Sequence, residues 1–230
     1  GVFEIANRLY DLKFEEVSNI DKYHKDVKTY NVTDTDGNFI SVFYADFHPR
    51  KGKRNGAWMT SYKSQQIKNG INERPQVSIV CNFTKPTETK PSLLTFNEVT
   101  TLFHEFGHAM IDIQNIPITG REEDVADQIS TYILLNSYED QAGAVLDASE
   151  EYYANAEKNP AEGSSFADTH TSDLARYYNL VCWVYGSDTE TFATLLEETG
   201  LTEERASGCA DEYSKFKNSL DILFAGFKKS

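Results

Sequence analysis

The string His104-Glu105-Phe106-Gly107-His108 places two histidines and a glutamate within five consecutive positions. On a helix, residues four apart share a face, so both imidazoles can bind one divalent ion while Glu105 lies beside it. A zinc ion with three protein ligands keeps a water molecule, lowers the pKa of that water to about 7 and polarises a carbonyl group. The string therefore predicts a zinc peptidase in which His104 and His108 bind the metal and Glu105 is the general base.

A catalytic zinc site needs a third protein ligand, and four carboxylates follow the motif: Glu122, Glu123, Asp124 and Asp127. We predict Glu123 as the ligand. Glu123 and Asp127 are four apart on one helical face, so Asp127 can accept a hydrogen bond from a ligand imidazole and orient it. Glu122 and Asp124 are expected to favour the positive end of the helix dipole, a role that Glu123 could also play.

Three histidines lie outside the motif. His24 and His48 are weaker alternatives for the third ligand, because both lie far from the motif along the chain. His170 is the only histidine after the motif, and it is a candidate hydrogen-bond donor to the oxyanion that develops during peptide hydrolysis. Tyr177 and Tyr178 compete for that role, and a surface or capping role for His170 is equally compatible with the sequence.

Alternation and turn residues predict strands in the first part of the chain. β-branched and aromatic residues are frequent at 27–32 and 39–47, and Asp36-Gly37 between them suits a hairpin turn, so these segments should pair antiparallel. A third strand is expected at 77–83. After it the period becomes helical, and Thr95 with Glu98 matches a capping box at the start of the motif helix.

Helical spacing and glycine or proline punctuation predict the remaining elements. Helices are expected at 3–12, 121–136, 142–156, 172–185, 189–198 and 203–224, with breaks near Pro160, Gly163, Gly186 and Gly200. The resulting fold class is α+β and zincin-like, with a mainly antiparallel sheet packed on the HExxH helix and a helical C-terminal lobe. We expect a single catalytic domain over residues 1–230, with a sheet and zinc-helix lobe at 1–120 and a helical lobe at 121–230.

Composition excludes several classes of function. With 22 basic and 36 acidic residues the chain has a net charge of −14, which disfavours binding to nucleic acid. There is no apolar run long enough for a membrane span. The one basic cluster, at positions 50, 51, 53 and 54, is predicted to be a solvated loop. Residue 1 is Gly and no leader pattern precedes the first helix, so we expect any targeting peptide to be absent or removed.

Three cysteines, Cys81, Cys182 and Cys209, form no CxxC pair, so a cysteine-based zinc site is not expected. Cys182 and Cys209 can pair if the protein is exported, and isolated buried thiols are an equally good interpretation. No Ser or Cys lies in a setting typical of a nucleophile, so hydrolysis without a covalent intermediate is predicted. The sequence does not distinguish a cytoplasmic from an exported protein, and it does not give the oligomeric state.

The first part of the chain resembles the thimet oligopeptidase and dipeptidyl carboxypeptidase family. The matching stretches are GVFEIANRLY, DTDGNFISVFYADFHPRKGKRNGAWM, VCNFTKP and LLTFNEVTTLFHEFGHAM, within residues 1–110. In that family the two motif histidines bind zinc and the motif glutamate is the base, which the resemblance carries to His104, His108 and Glu105. It also implies short peptides as substrates.

After Met110 the resemblance changes. IDIQNIPITGREEDVADQ, HTSDLARYYNLVCWVYGSD and LTEERASGCADEY are similar to a different family of bacterial metallopeptidases, in which an HExxH motif is also followed by a GREED-type segment. The two patterns meet at the zinc helix, so the chain resembles a fusion. The pairing of Glu123 with Asp127 resembles the ExxxD pattern of glutamate-type zincins.

Together these features predict a zinc-dependent metallopeptidase that hydrolyses short peptides with a metal-activated water. The peptide is expected to bind as an added strand along a sheet edge. An alternative from another class is a catalytically weak or inactive zinc-binding module that binds peptides or partners, and a third is a regulatory or scaffolding domain that binds no zinc. Retention of Glu105 favours the enzyme.

Overall fold

Strands dominate the first half of the chain, and helices make up the second half. The computed structural model describes residues 1–137, 142–158 and 169–225. These divide into a first unit, residues 1–118, and a second unit, residues 119–225. The structure thus confirms a mixed α+β fold.

The first unit contains two helices and seven strands. They are α1 Val2–Tyr10, β1 Lys13–Val17, β2 Lys28–Thr33, β3 Phe39–Asp46, β4 Trp58–Lys63, β5 Gln66–Lys68, β6 Ile71–Glu73, β7 Gln76–Val80 and α2 Phe96–Gln114. Five strands form one sheet in the order β1-β2-β3-β7-β4. Only the β3–β7 pairing is parallel, so the predicted mainly antiparallel sheet is confirmed.

The central strand β3 is mostly apolar. It has a neighbouring strand on each side, and both of its faces are covered. Seven of its eight residues are buried, as expected for a strand buried on both faces. Its Phe43 belongs to an aromatic cluster with Phe3 of α1 and Phe14 of β1. Phe106 of α2 lies 6.5 Å from Phe14, ring centre to ring centre, and so attaches the motif helix to this core.

The second unit is helical. Its elements are α3 Glu122–Ser137, α4 Ala142–Lys158, α5 Asp173–Ser187, α6 Leu195–Thr199, α7 Glu203–Ala206 and α8 Cys209–Leu223. Helix α5 packs against both α4 and α8. No described helix has the length and apolar character that crossing a lipid bilayer requires.

A disulfide joins α5 to α8 through Cys182 and Cys209. This resolves the two interpretations of these cysteines in favour of pairing, whereas Cys81 is a free, buried thiol. One turn after Cys182, Gly186 faces the same neighbour, and a Cβ atom at Gly186 would overlap the carbonyl group of Cys209. Glycine therefore permits the close approach of the two helices that the disulfide fixes.

Two predicted helices differ from the structure. The segment 189–198 was expected to be helical throughout, but only Leu195–Thr199 forms a helix. The Asp188 carboxylate accepts hydrogen bonds from the backbone amides of Glu190 and Thr191, which stabilises turns in place of the first helical turns. The helix expected at 203–224 is interrupted between α7 and α8. The breaks expected near Pro160 and Gly163 lie outside the described residues.

Only part of the basic cluster is solvated as predicted: Lys51 and Arg54 are exposed, whereas Arg50 and Lys53 are not. Lys53 has a side chain only 3% exposed, and it donates hydrogen bonds to the Asp46 carboxylate and to the carbonyl oxygen of His48. Arg50 donates two hydrogen bonds to the same carboxylate, and Tyr23 donates another. The prediction was wrong for Arg50 and Lys53 because both side chains bind the buried carboxylate of Asp46 at the end of β3.

Candidate metal centre

Helix α2 begins where the sequence predicts. The side chain of Thr95 accepts a hydrogen bond from the backbone amide of Glu98, and the Glu98 carboxylate accepts one from the backbone amide of Thr95. This reciprocal capping box satisfies two amides that the first turn leaves open. At the other end, Asn115 takes a left-handed conformation (φ 50°) that ends the helix. The motif therefore lies in the middle of a helix with both ends defined.

The two motif histidines converge. The Nε2 atoms of His104 and His108 lie 3.2 Å apart, and their ring centres are separated by 4.8 Å. Two imidazole nitrogens on one tetrahedral zinc ion, each about 2.05 Å from the metal, would be about 3.3 Å apart. Both side chains are largely buried, with 7% and 8% exposure. The observed pair thus has the spacing that a shared ion requires.

Glu105 follows His104 on the same helix and is 7% exposed. The Glu105 carboxylate acts electrostatically on Cys81, the residue that follows β7. Burial and then the Glu105 carboxylate raise the pKa of the Cys81 thiol to about 12. Cys81 therefore stays a thiol at neutral pH.

Two strands of the sheet accompany the motif helix. Helix α2 contacts β7 and β4, and β4 is the terminal strand of the sheet on that side. The other terminal strand, β1, lies at the opposite end of the strand order. The sheet edge next to α2 is therefore formed by β4, a point that the sequence did not resolve.

In the second unit, Glu123 and His170 are brought together. Glu123 lies in the first turn of α3, and its Oε2 atom is 3.0 Å from Nε2 of His170. The segment carrying His170 is held on this helix end because Thr171 donates a hydrogen bond to Asp124 and Arg121 donates one to the carbonyl of His170. The predicted ligand and the predicted oxyanion donor are thus neighbours, with side chains 21% and 46% exposed.

Asp127 has a partner that the sequence analysis missed. Arg176 of α5 donates two hydrogen bonds to the Asp127 carboxylate, at 2.8 and 2.7 Å. The guanidinium also lies over the ring of Tyr152, 4.1 Å from its centre. Arg176 is the only basic residue of α5, but nothing in the sequence indicates Asp127 as its partner. The orienting role of Asp127 toward a ligand imidazole stays a prediction.

The alternative candidates have other contacts. Nδ1 of His48 lies 3.2 Å from the carbonyl oxygen of Phe83, and Nδ1 of His24 accepts a hydrogen bond from the backbone amide of Asp26. Tyr177 is buried and donates its hydroxyl hydrogen to the carbonyl oxygen of Thr199. That bond leaves the Tyr177 hydroxyl engaged within the helical unit.

Two family models match the chain. Residues 60–224 match the family described as "Putative metallopeptidase", and residues 1–114 match peptidase family M3. Both matches contain residues 104–108. The two resemblances inferred from sequence are thereby confirmed, and the two matches overlap over residues 60–114.

Individual relatives are oligopeptidases and a dipeptidyl carboxypeptidase, and one of the alignments extends beyond residues 1–114. The chain is 43% identical over 110 residues to dipeptidyl carboxypeptidase of Salmonella typhimurium, an alignment that covers 48% of this chain and 16% of the relative. It is 34% identical over 170 residues to oligopeptidase A of Haemophilus influenzae, covering 70% and 24%. With thimet-like oligopeptidase of Dictyostelium discoideum it shares 42% identity over 113 residues, covering 48% and 17%. The chain spans less than a quarter of the length of these relatives.

Proposed function

Because the chain belongs to the family described as "Putative metallopeptidase", we propose that it is a zinc-dependent peptidase with a zincin-like active site on α2. The observation that carries this proposal is the 3.2 Å separation of the His104 and His108 Nε2 atoms. Similarity to oligopeptidases and dipeptidyl carboxypeptidases supports peptides, and in particular short ones, as substrates. We take residues 1–230 to form one catalytic domain.

His104 and His108 would hold the metal, and Glu123 would supply the third ligand. A bound zinc ion contributes Lewis acidity, which acidifies a water ligand and polarises the peptide carbonyl. Glu105 accepts the proton from the attacking water and delivers it to the nitrogen of the leaving amine. The burial of Glu105 fits this role, because a carboxylate shielded from bulk water exchanges its proton with the reacting groups in preference to solvent.

His170 is proposed as the hydrogen-bond donor to the developing oxyanion. The contact of its Nε2 atom with the Glu123 carboxylate supports this, because it holds the ring beside the proposed third ligand. The 46% exposure of His170 leaves part of the ring accessible to a ligand.

The peptide is proposed to bind along β4. This strand ends the sheet on the side that contacts α2, so an added strand there runs beside the helix that carries the motif. Main-chain hydrogen bonds to a strand edge give affinity without demanding a particular sequence, which suits an enzyme for varied short peptides.

The test combines metal analysis with turnover. The purified chain should contain about one zinc ion and cleave a quenched fluorescent peptide library, with cleavage abolished by a chelator and restored by added zinc. Glu105→Gln should keep its zinc and lose activity by about a hundredfold or more. A matched control is Glu98→Gln, which changes the same residue type at the start of the same helix and should retain most of the activity.

Two results would count against the proposal. Full activity of Glu105→Gln would exclude Glu105 as the base. Zinc binding without cleavage of any peptide in the library would instead identify the chain as a zinc-binding module.

A further inference from the structure

Three tyrosines and two glutamates line a cavity of about 590 Å³ in the helical unit. Glu150 and Tyr153 come from α4, Tyr177 and Tyr178 from α5, and residues 198–200 from the end of α6. The volume lies within the range of sites for small organic ligands and far exceeds that needed for a bare ion. None of these residues belongs to the proposed metal centre.

The two carboxylates of this cavity are available to a ligand. Glu150 and Glu198 are exposed, and within the described ranges neither side chain makes an ion pair or a hydrogen bond. Other acids of this unit are paired with cations, as Asp127 is with Arg176 and Glu212 with Arg205. Two unpaired carboxylates on one cavity make its potential negative and disfavour an anionic ligand.

The aromatic rings form a continuous wall. The rings of Tyr153 and Tyr177 are 5.0 Å apart, and those of Tyr177 and Tyr178 are 4.9 Å apart, both pairs inclined to one another. The hydrogen bond from Tyr177 to Thr199 fixes the middle ring. Opposite Tyr178, Gly200 has φ 70°, a conformation that suits glycine and leaves the tyrosine hydroxyl without a facing side chain.

From this combination we infer that the cavity binds an organic ammonium ion. The faces of aromatic rings attract cations, and two carboxylates supply the opposite charge and hydrogen-bond acceptors for an N–H group. The alkyl part of such an ion packs on the tyrosine rings, which a hydrated metal ion cannot do. A lysine side chain of a peptide and a free alkyl diamine carry the same recognised group.

The experiment is isothermal titration calorimetry on the whole chain at two salt concentrations. The probes are Nα-acetyl-lysine N-methylamide, 1,5-diaminopentane and, as the neutral isostere of the first, Nα-acetyl-norleucine N-methylamide. We expect one or both cationic probes to bind and the norleucine derivative not to bind. Binding of the lysine derivative alone identifies a peptide side chain as the ligand, and binding of the diamine alone identifies a free amine.

Neighbouring glutamates provide matched controls. Glu150→Gln and Glu198→Gln should each weaken binding by about fivefold, whereas Glu151→Gln and Glu197→Gln, which make the same charge change one residue away, should not. Tyr153→Leu should also weaken binding, while Tyr153→Phe, which keeps the ring, should preserve it. All five positions that carry these changes are exposed, so folding should be retained, and circular dichroism checks it.

Equal losses of affinity at the test glutamates and the control glutamates would show that only the net negative charge matters. That result would overturn the inference. So would binding of the norleucine derivative with the same affinity as the lysine derivative. Because the readout is binding without turnover, the outcome is independent of whether the chain hydrolyses peptides.

Discussion

Arg176 and Asp127 form an ion pair with two parallel hydrogen bonds between α5 and α3, with side chains only 10% and 9% exposed. Hydrogen bonding to Asp127 favours the charged guanidinium and, despite the opposing effect of burial, raises the pKa of Arg176. The pair connects α5 to α3. Its importance for stability is that removal of one partner leaves the other charge buried and unpaired.

Asp127→Asn should lower the free energy of unfolding by about 3 kcal/mol, because it leaves a buried guanidinium without its counter-charge. Urea denaturation measures this change. Asp211→Asn is the matched control, since the Asp211–Lys215 pair is exposed and its loss should leave stability nearly unchanged. Equal stability of the two variants would mean that the buried pair is not a stabilising contact.

Glu123→Gln should weaken zinc binding by about a hundredfold or more, because an amide oxygen is a much poorer zinc ligand than a carboxylate. Competition with a chromophoric chelator measures the affinity. Glu122→Gln removes the neighbouring charge in the same helical turn and should change the affinity only slightly. An unchanged affinity in Glu123→Gln would place the third ligand elsewhere.

Stability should fall at acidic pH through Asp46. Burial opposes its ionisation, but hydrogen bonds from Arg50, Lys53 and Tyr23 outweigh it and lower the pKa of Asp46 to about 2. Since this pKa lies below the ordinary value, the contribution of about 2 kcal/mol is present above pH 4 and is lost as the pH falls through 2.

The measurement is the free energy of unfolding between pH 5 and pH 2 in the parent chain and in Asp46→Asn. The variant should be less stable at pH 5 and should show a smaller decline on acidification. Asp36→Asn, in an exposed turn, serves as the control. The same decline in the variant as in the parent would remove Asp46 as its source.

Alkylation should detect one free thiol and one disulfide, as the structure has them. Under denaturing conditions without reductant one thiol, Cys81, should react, and all three should react after reduction. Reduction should also lower stability by about 3 kcal/mol, since the crosslink closes a loop between positions 27 residues apart. Three reactive thiols before reduction would contradict the pairing.

Local signals predicted the parts of the fold that depend on neighbouring residues. The capping box of α2 and the hairpin of β2 and β3 are encoded within a few positions, and the structure has both. Strands β1 and β4 were missed, as were β5 and β6. Asn69-Gly70, with positive φ at both residues, joins β5 to β6. Each is only three residues long and exposed, so no alternating pattern exists for them to display.

The sequence also did not predict which charged residues pair when they are far apart along the chain. Arg50 and Lys53 read as a surface cluster because the acid that binds them, Asp46, is identified only by its burial in the folded sheet. Likewise, Arg176 and Asp127 are distant along the chain, and nothing local links them. For the candidate site, the sequence spacing of His104 and His108 predicted that their imidazoles lie close together, since a single helical turn determines their separation.

The locally determined helix α2 has a kinetic consequence. Its capping box and the two histidines one turn apart involve only short sequence separations, whereas the parallel pairing of β3 with β7 joins Val42 to Gln76. Contacts between near neighbours form faster than contacts that close long loops. During refolding, the two-histidine turn should be able to bind a zinc ion before the sheet is complete, so that metal binding precedes the end of folding.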